Sequence, residues 1–421
     1  MKKLICWLLV LTMMFTVTGC KKNKEPDEIT TETTTEATAP ELLEVPYETE
    51  ADSRPYLGVT LEFQSALAAS DAEAVAIRKA AEFFETTTGA VVNIHWQEGI
   101  MDVTQMDIFE VDGALLGSDY IDYALDLGDM AQTANYESWS YGVLCQQVVK
   151  RCGYLAGIAS VPHLTALYYD ADAMESCGIE ALPSTWLDFL VLCKTLVQKG
   201  WVPLTMDAEF SHMATELHLE RALGVEGLKA LVSGGWAAGD EAIFAVEQMS
   251  NMLASGYLAS GTPAAYPQGF VRLAGSSAVM MASSDRLCKQ MEQDGMLEVR
   301  WGVFPWPGDG TGTGTAVDEQ VLAINKNTEN PQAAFEFIRL LASGEFDQLR
   351  ADLRRGIPAD PNNQSVIVGA VDTLKNASSE SFGLLDTYYN DIYTQLWQGT
   401  FATGDLFLKA MRQGVASGGE V

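Results

Sequence analysis

Apolar residues at Ile77, Ala80, Ala81 and Phe84 recur at i, i+3, i+4 and i+7, the spacing of a single buried helical stripe. They predict a helix over 70–88, with Ser70 or Asp71 at its N-cap and Gly89 ending it. Runs rich in apolar and β-branched residues surround it at Val59–Phe63, Ala90–Trp96 and Asp107–Val111 and read as strands. Strands alternating with helices in this way predict βαβ units and a parallel sheet covered on both faces. Farther on, Ala156–Val161 and Thr165–Tyr169 are strand-like and split by Pro162, which has no ladder donor. Trp186, Phe189, Leu190, Cys193, Leu196 and Val197 form an amphipathic stripe that Thr185 or Ser184 can cap and Gly200 can stop. Val202–Thr205, Glu298–Phe304 and Val321–Ile324 read as further strands, and 216–223, 240–255 and 331–341 as helices. Pro331 falls in a first turn, where its missing N–H costs nothing. No long repeat is present, so a solenoid is excluded.

The pattern changes before residue 55. Lys2 and Lys3 precede an apolar run from Leu4 to Val17, the basic start and short greasy core of a secretory signal. That run is shorter than the ~20 residues a spanning helix needs. Val17-Thr18-Gly19-Cys20 resembles the lipobox of bacterial lipoproteins. The resemblance implies that residues 1–19 are a signal peptide, that Cys20 carries the lipid (palmitate), and that the protein is extracytoplasmic and anchored to the cell membrane by lipidated Cys20. Residues 20–54 include TTETTTEAT at 30–38 and have few large apolar side chains, so they are expected to form a flexible tether rather than a core.

The 421 residues carry 26 Lys plus Arg against 57 Asp plus Glu, a net charge of −31. Loss of the signal removes two lysines and no acids, leaving 24 basic against 57 acidic residues, or −33. Such a surface repels phosphate backbones and anionic lipid headgroups, which excludes nucleic acid and a bare anionic membrane as partners. Cys145, Cys152, Cys177, Cys193 and Cys288 form no CxxC pair and no metal-like cluster. They read as small buried hydrophobes, with one disulfide of unassigned partners left open.

Several stretches then fall in a familiar order. Ala80–Glu85 leads to Thr88-Gly89 and the strand at Val91–Ile94; Met106–Phe109, Val161-Pro162, Leu167–Asp170, Cys177–Ile179 and Pro183–Trp186 follow. Phe270…Gly275…Ala278…Met280-Met281, Trp301–Pro307, Asn330–Ile338 and Gly356–Pro358 complete the series. Together they resemble the extracellular solute-binding proteins of bacterial ABC importers, carbohydrate type, family 1. The resemblance implies an α/β, periplasmic-binding-protein-like (type II) fold, two α/β lobes joined by hinge strands. Lobe one is expected at 55–161 plus 305–343, and lobe two at 162–304 plus 344–421. It also implies a monomer that binds a small-molecule carbohydrate, delivers it to an ABC permease and touches the membrane through its N-terminal lipid only. No cofactor, metal or catalytic residue is expected. The family's tryptophan after an "isGs" stretch has no counterpart at Ala282–Asp285.

A sugar site needs aromatic faces for the C–H side of the ring and polar groups for the hydroxyls. Trp306, flanked by prolines beside the hinge, and Trp236, after Gly234-Gly235, are the candidate platforms. Ligands in open α/β sheets lie beyond the carboxyl ends of the strands, which selects Gln64, Ser65, Glu110, Asp112, Ser284, Asp285, Asp318 and Glu319. Enzyme signatures are missing: there is no HExxH, GxSxG or GxxxxGK[ST], and the glycine-rich Gly308–Gly314 lacks a helix start behind it. A two-carboxylate glycosidase leaves no local signature and stays as the alternative from another class, beside a ligand-sensing partner of a membrane receptor.

Overall fold

The structure, a computed structural model, describes residues 54–96, 102–237, 239–265, 268, 278–284, 299–308, 316–377 and 383–417, with the backbone only at 278–284 and 316–319. The signal, Cys20, the tether, Cys288 and Asp285 lie outside the described residues. Among the described residues, no helix is long and apolar enough to cross a membrane, and no disulfide joins Cys145, Cys152, Cys177 and Cys193.

The chain opens with β1 (Thr60–Ser65), α1 (Ala74–Thr88), β2 (Val91–Trp96) and β3 (Ile108–Asp112). The predicted stripe of α1 is buried, and the helix ends at Gly89 with φ +82°. A Cβ there would also stand 2.9 Å from the Leu57 Cα, so the turn needs glycine twice over. The helix starts later than expected because the Asp71 carboxylate accepts the Ala68 N–H at 3.0 Å instead of capping it. β1 lies between β2 and β3 and is parallel to both.

Next come α2 (Gly142–Cys152), β4 (Ile158–Asp170), α3 (Trp186–Gln198), β5 (Val202–Thr205), α4 (Ser211–Ser233) and α5 (Asp240–Ala254). Thr185 caps α3, its hydroxyl accepting the Asp188 N–H at 3.1 Å. Gly224, at φ 71° and ψ 166°, breaks α4 into two helical stretches. β6 (Ala278–Ser284), β7 (Trp301–Phe304), β8 (Ala316–Ile324), α6 (Pro331–Leu341), α7 (Gly344–Arg354), α8 (Asn390–Trp397) and α9 (Gly404–Ala416) follow, with shorter helical turns such as Ala171–Ser176 and Ala370–Lys375 between the longer elements.

The sheet runs β2-β1-β3-β8-β4-β6-β5, with β7 also on β4. It is mixed rather than parallel, because β8 runs antiparallel to both of its neighbours and β4 antiparallel to β6 and β7. β4 is also one strand and not two. Its residues 158–165 pair with β8, and its residues 165–170 pair with β6 and β7. Among the described residues Pro162 pairs with β8 alone, opposite Glu319.

Two large cores hang from this shared strand. One gathers Leu61, Phe63, Ile77, Phe84 and Phe109 with Val321–Ile324, Phe335, Phe337 and Phe346. The other gathers Trp186, Phe189, Leu217, Trp236, Met249, Trp306, Trp397 and Phe407. Two α/β lobes result, with β4 and β8 passing between them. Phe304 and Trp306 belong to the second core and Phe346 to the first.

Candidate functional site

The carboxyl ends of β1 and β3 lie side by side, and what the side chains do there differs from residue to residue. Gln64 is buried and donates from Nε2 to the His95 carbonyl at 3.2 Å, so it secures β2 against β1. Ser65, Glu110, Ser160 and Arg350 are all 0% exposed. Glu110 accepts from the Ser65 hydroxyl at 3.1 Å, the Ser160 hydroxyl at 3.0 Å and Arg350 Nη2 at 2.7 Å. Arg350 also faces Glu73 at 3.8 Å, and Arg354 faces Glu73 at 3.4 Å. Burial works against the charge of Glu110, yet the Arg350 guanidinium and the three donors outweigh it and hold the carboxyl below its ordinary value. Glu110 is thus a buried tie between elements, closed off from any ligand by its own partners.

Asp112 is different. Its Oδ1 accepts the Ala114 N–H at 2.9 Å, capping a short helical turn. The side chain lines a cavity of about 710 Å³ together with Ala66, Asp102, Asp119, Tyr120, Tyr123 and Gln320, among others. Ala66 directly follows β1, and Gln320 stands opposite Asp112 across the β3–β8 ladder, so the cavity borders the strand ends. Carboxylates and an amide beside tyrosine rings supply the two kinds of group that a hydroxylated ring requires. No Lys or Arg is among the described lining residues. Asp102, Asp119, Tyr120, Tyr123 and Gln320 escape a reading by sequence, because their segments carry no periodic signal that would point them at one space.

The two tryptophan platforms are corrected. Trp306 is 0% exposed and packs against Phe189, His218 and Trp397 with ring centroids 5.8–6.1 Å apart. Trp236, 2% exposed, lies against Tyr393 and Phe407. Both are core side chains of the second lobe. The remaining candidates are placed by backbone alone: Ser284 opposite Thr165, Asp318 opposite His163 and Glu319 opposite Pro162. All three therefore flank residues 162–165 of β4.

A second set of buried polar groups lies on α4. Glu216 accepts the Gly383 and Leu385 N–H groups at 3.0 and 2.8 Å. Burial first, and Glu220 nearby, push its carboxyl up to about 7 against those bonds. His218 Nε2 meets the Ala245 carbonyl at 2.8 Å, and burial with the Arg221 charge lowers it to about 3. Among the described residues no cluster of three or more His, Cys, Asp or Glu could hold a metal ion.

The family described as bacterial extracellular solute-binding protein matches residues 101–345. No curated protein matches the sequence. Solved structures match over most of their length. Apo RafE from Streptococcus pneumoniae is 13% identical with a TM-score of 0.62, covering 84% of this chain and 96% of that one. A cyclo/maltodextrin-binding protein complexed with maltotetraose is 16% identical with a TM-score of 0.62, covering 86% and 97%. The bacterial solute receptor AcbH, described as preferring β-D-galactopyranose, is 13% identical with a TM-score of 0.63, covering 85% and 97%. At these identities the likeness speaks for the fold alone, a type II periplasmic-binding-protein-like pair of α/β lobes.

Proposed function

The chain belongs to the bacterial extracellular solute-binding protein family, and from that premise we propose that it captures a neutral carbohydrate between its lobes and delivers it to an ABC permease. One observation carries the choice of ligand: the cavity of about 710 Å³ at the strand ends offers aspartates, an amide and tyrosine rings to one space. Its volume falls within the usual range for small-molecule sites. The three structural neighbours include one solved with maltotetraose and one described as preferring galactopyranose, which favours a sugar over a peptide. Lobe one is built on the Leu61–Phe346 core and lobe two on the Trp186–Phe407 core. Ligand contacts from both would favour a closed state through differential affinity. The ligand leaves unaltered, since binding and release are the whole task. Cys20 is the proposed lipid attachment site, which would hold the protein at the outer side of the cell membrane.

Thermal-shift and calorimetric titrations with galactose, raffinose, maltotetraose, and chito- and xylo-oligosaccharides test the reading. Stability should rise with ligand as RT ln(1 + [L]/Kd), and chromatography of the recovered sugar should show it intact. Silence toward every sugar, with a response to a peptide or polyamine, would replace the ligand class. Shortened oligosaccharides would replace binding with hydrolysis.

A further inference from the structure

Where α5 and α8 end, a second cavity of about 490 Å³ opens on the second core. It is lined by the last turn of α5, by the segment 258–262 that bridges to β5 at Leu204, and by the chain leaving α8. It shares no described lining residue with the cavity at β1 and β3. The chain carries 57 Asp plus Glu, and three aspartates line that first cavity, yet no described residue lining the second is charged. Its polar groups are amides, hydroxyls and backbone. The Asn251 side chain is exposed, and among the described residues none bonds its amide. Gln398 Nε2 donates to the Pro263 carbonyl at 3.4 Å, which holds the side chain and leaves Oε1 to accept. The half-buried Phe401 ring meets Phe407 edge-on with centroids 5.7 Å apart, so its orientation is fixed. The last carbonyls of a helix find no donor within it, so the ends of α5 and α8 bring further acceptors.

We propose that this cavity is a second binding site, for a neutral hydroxylated ring such as a sugar or a cyclic polyol. An ion entering it would shed water without meeting an opposing charge, which selects a neutral guest. Ring hydroxyls can donate to Gln398 Oε1 and the helix-end carbonyls, and can both donate to and accept from Asn251. The C–H side of the ring has Phe401 to lie against. The volume is within the usual range for small-molecule sites. The inference goes beyond the lobe-closure reading and does not depend on it, because none of these groups borders the first cavity.

Amide NMR of the labelled protein, titrated with galactose, lactose and myo-inositol, tests it. The backbone amides of Gly261 and Gly399 and the Asn251 side-chain amide should shift together along one saturable curve, and the tighter of the sugars and inositol identifies the source. In Asn251→Ala and in Gln398→Ala the midpoint read from the two glycines should rise about tenfold or more. Galacturonate and galactosamine, the same ring bearing a charge, should bind about tenfold or more weakly than galactose. The amides of Ala66 and Gln320 follow the first cavity in the same spectra, so a failure of the sugar reading there is told apart from a failure here. Absence of a saturable shift with all three neutral rings, an unchanged midpoint in either variant, or equal binding of the charged rings would overturn the proposal. If Gln398→Ala fails to fold, the exposed Asn251→Ala position still decides it.

Discussion

At the scale of single residues, a side chain's sequence neighbourhood proved a poor guide to what surrounds it. Trp306 stands between prolines and Trp236 behind two glycines, contexts that suggest exposed loops, yet both rings fill the second core. Their partners Phe189, His218, Tyr393, Trp397 and Phe407 come from distant parts of the chain, so no local pattern reports them. Trp306→Ala should therefore destabilise the fold by about 3–5 kcal/mol through the cavity it leaves. Denaturant melts would register that loss, whereas sugar affinity measured well below the transition should stay within a factor of about two; a platform role would abolish it instead. Ser65, Glu110 and Asp112 were legible as strand-end polar groups, because strand ends are readable from periodicity. Which of them faces a cavity was not, since Arg350, the group that occupies Glu110, lies 240 positions away.

At the scale of elements, the amphipathic helices and the β-branched strands emerge from local periodicity nearly as read, α6 over Pro331–Leu341 and β5 over Val202–Thr205 among them. Strand direction and the unbroken β4 do not, since both depend on pairing with β8, whose residues lie far along the chain. The first stretch of α4 holds two titrating groups with opposite effects. Glu216 has a folded value near 7 against an ordinary 4.5, so its contribution to stability is full below 4.5 and fades as pH rises through 7. His218 sits near 3 against 6.5, so its contribution is full above 6.5 and fades as pH falls toward 3. Between about 4.5 and 6.5 the two slopes oppose each other. Glu216→Gln loses one acceptor for the Gly383 and Leu385 N–H groups but no longer titrates, so its stability relative to wild type should rise by roughly 1–3 kcal/mol between pH 4.5 and pH 8. Denaturant midpoints across that range check it, and a difference that does not vary with pH would remove Glu216 from the account.

At the scale of the whole molecule, charge acts together with shape. A net charge of −31 and a cavity lined by Asp102, Asp112 and Asp119 set a repulsive field for anions. Calorimetry at low salt should find a galacturonate oligomer bound about tenfold or more weakly than a neutral oligosaccharide of equal length, the gap narrowing as salt screens it. Equal affinities would mean that the aspartates do not face the ligand. The two-lobe layout also bears on how the polypeptide comes into being. The first core draws on Leu61–Ile158 and again on Val321–Phe346, with the body of the other lobe translated in between. A nascent chain consequently carries an unfinished apolar face until Phe346 has been made, and Phe407 and Met411 complete the second lobe later still. Neither core can therefore close before most of the chain has been made.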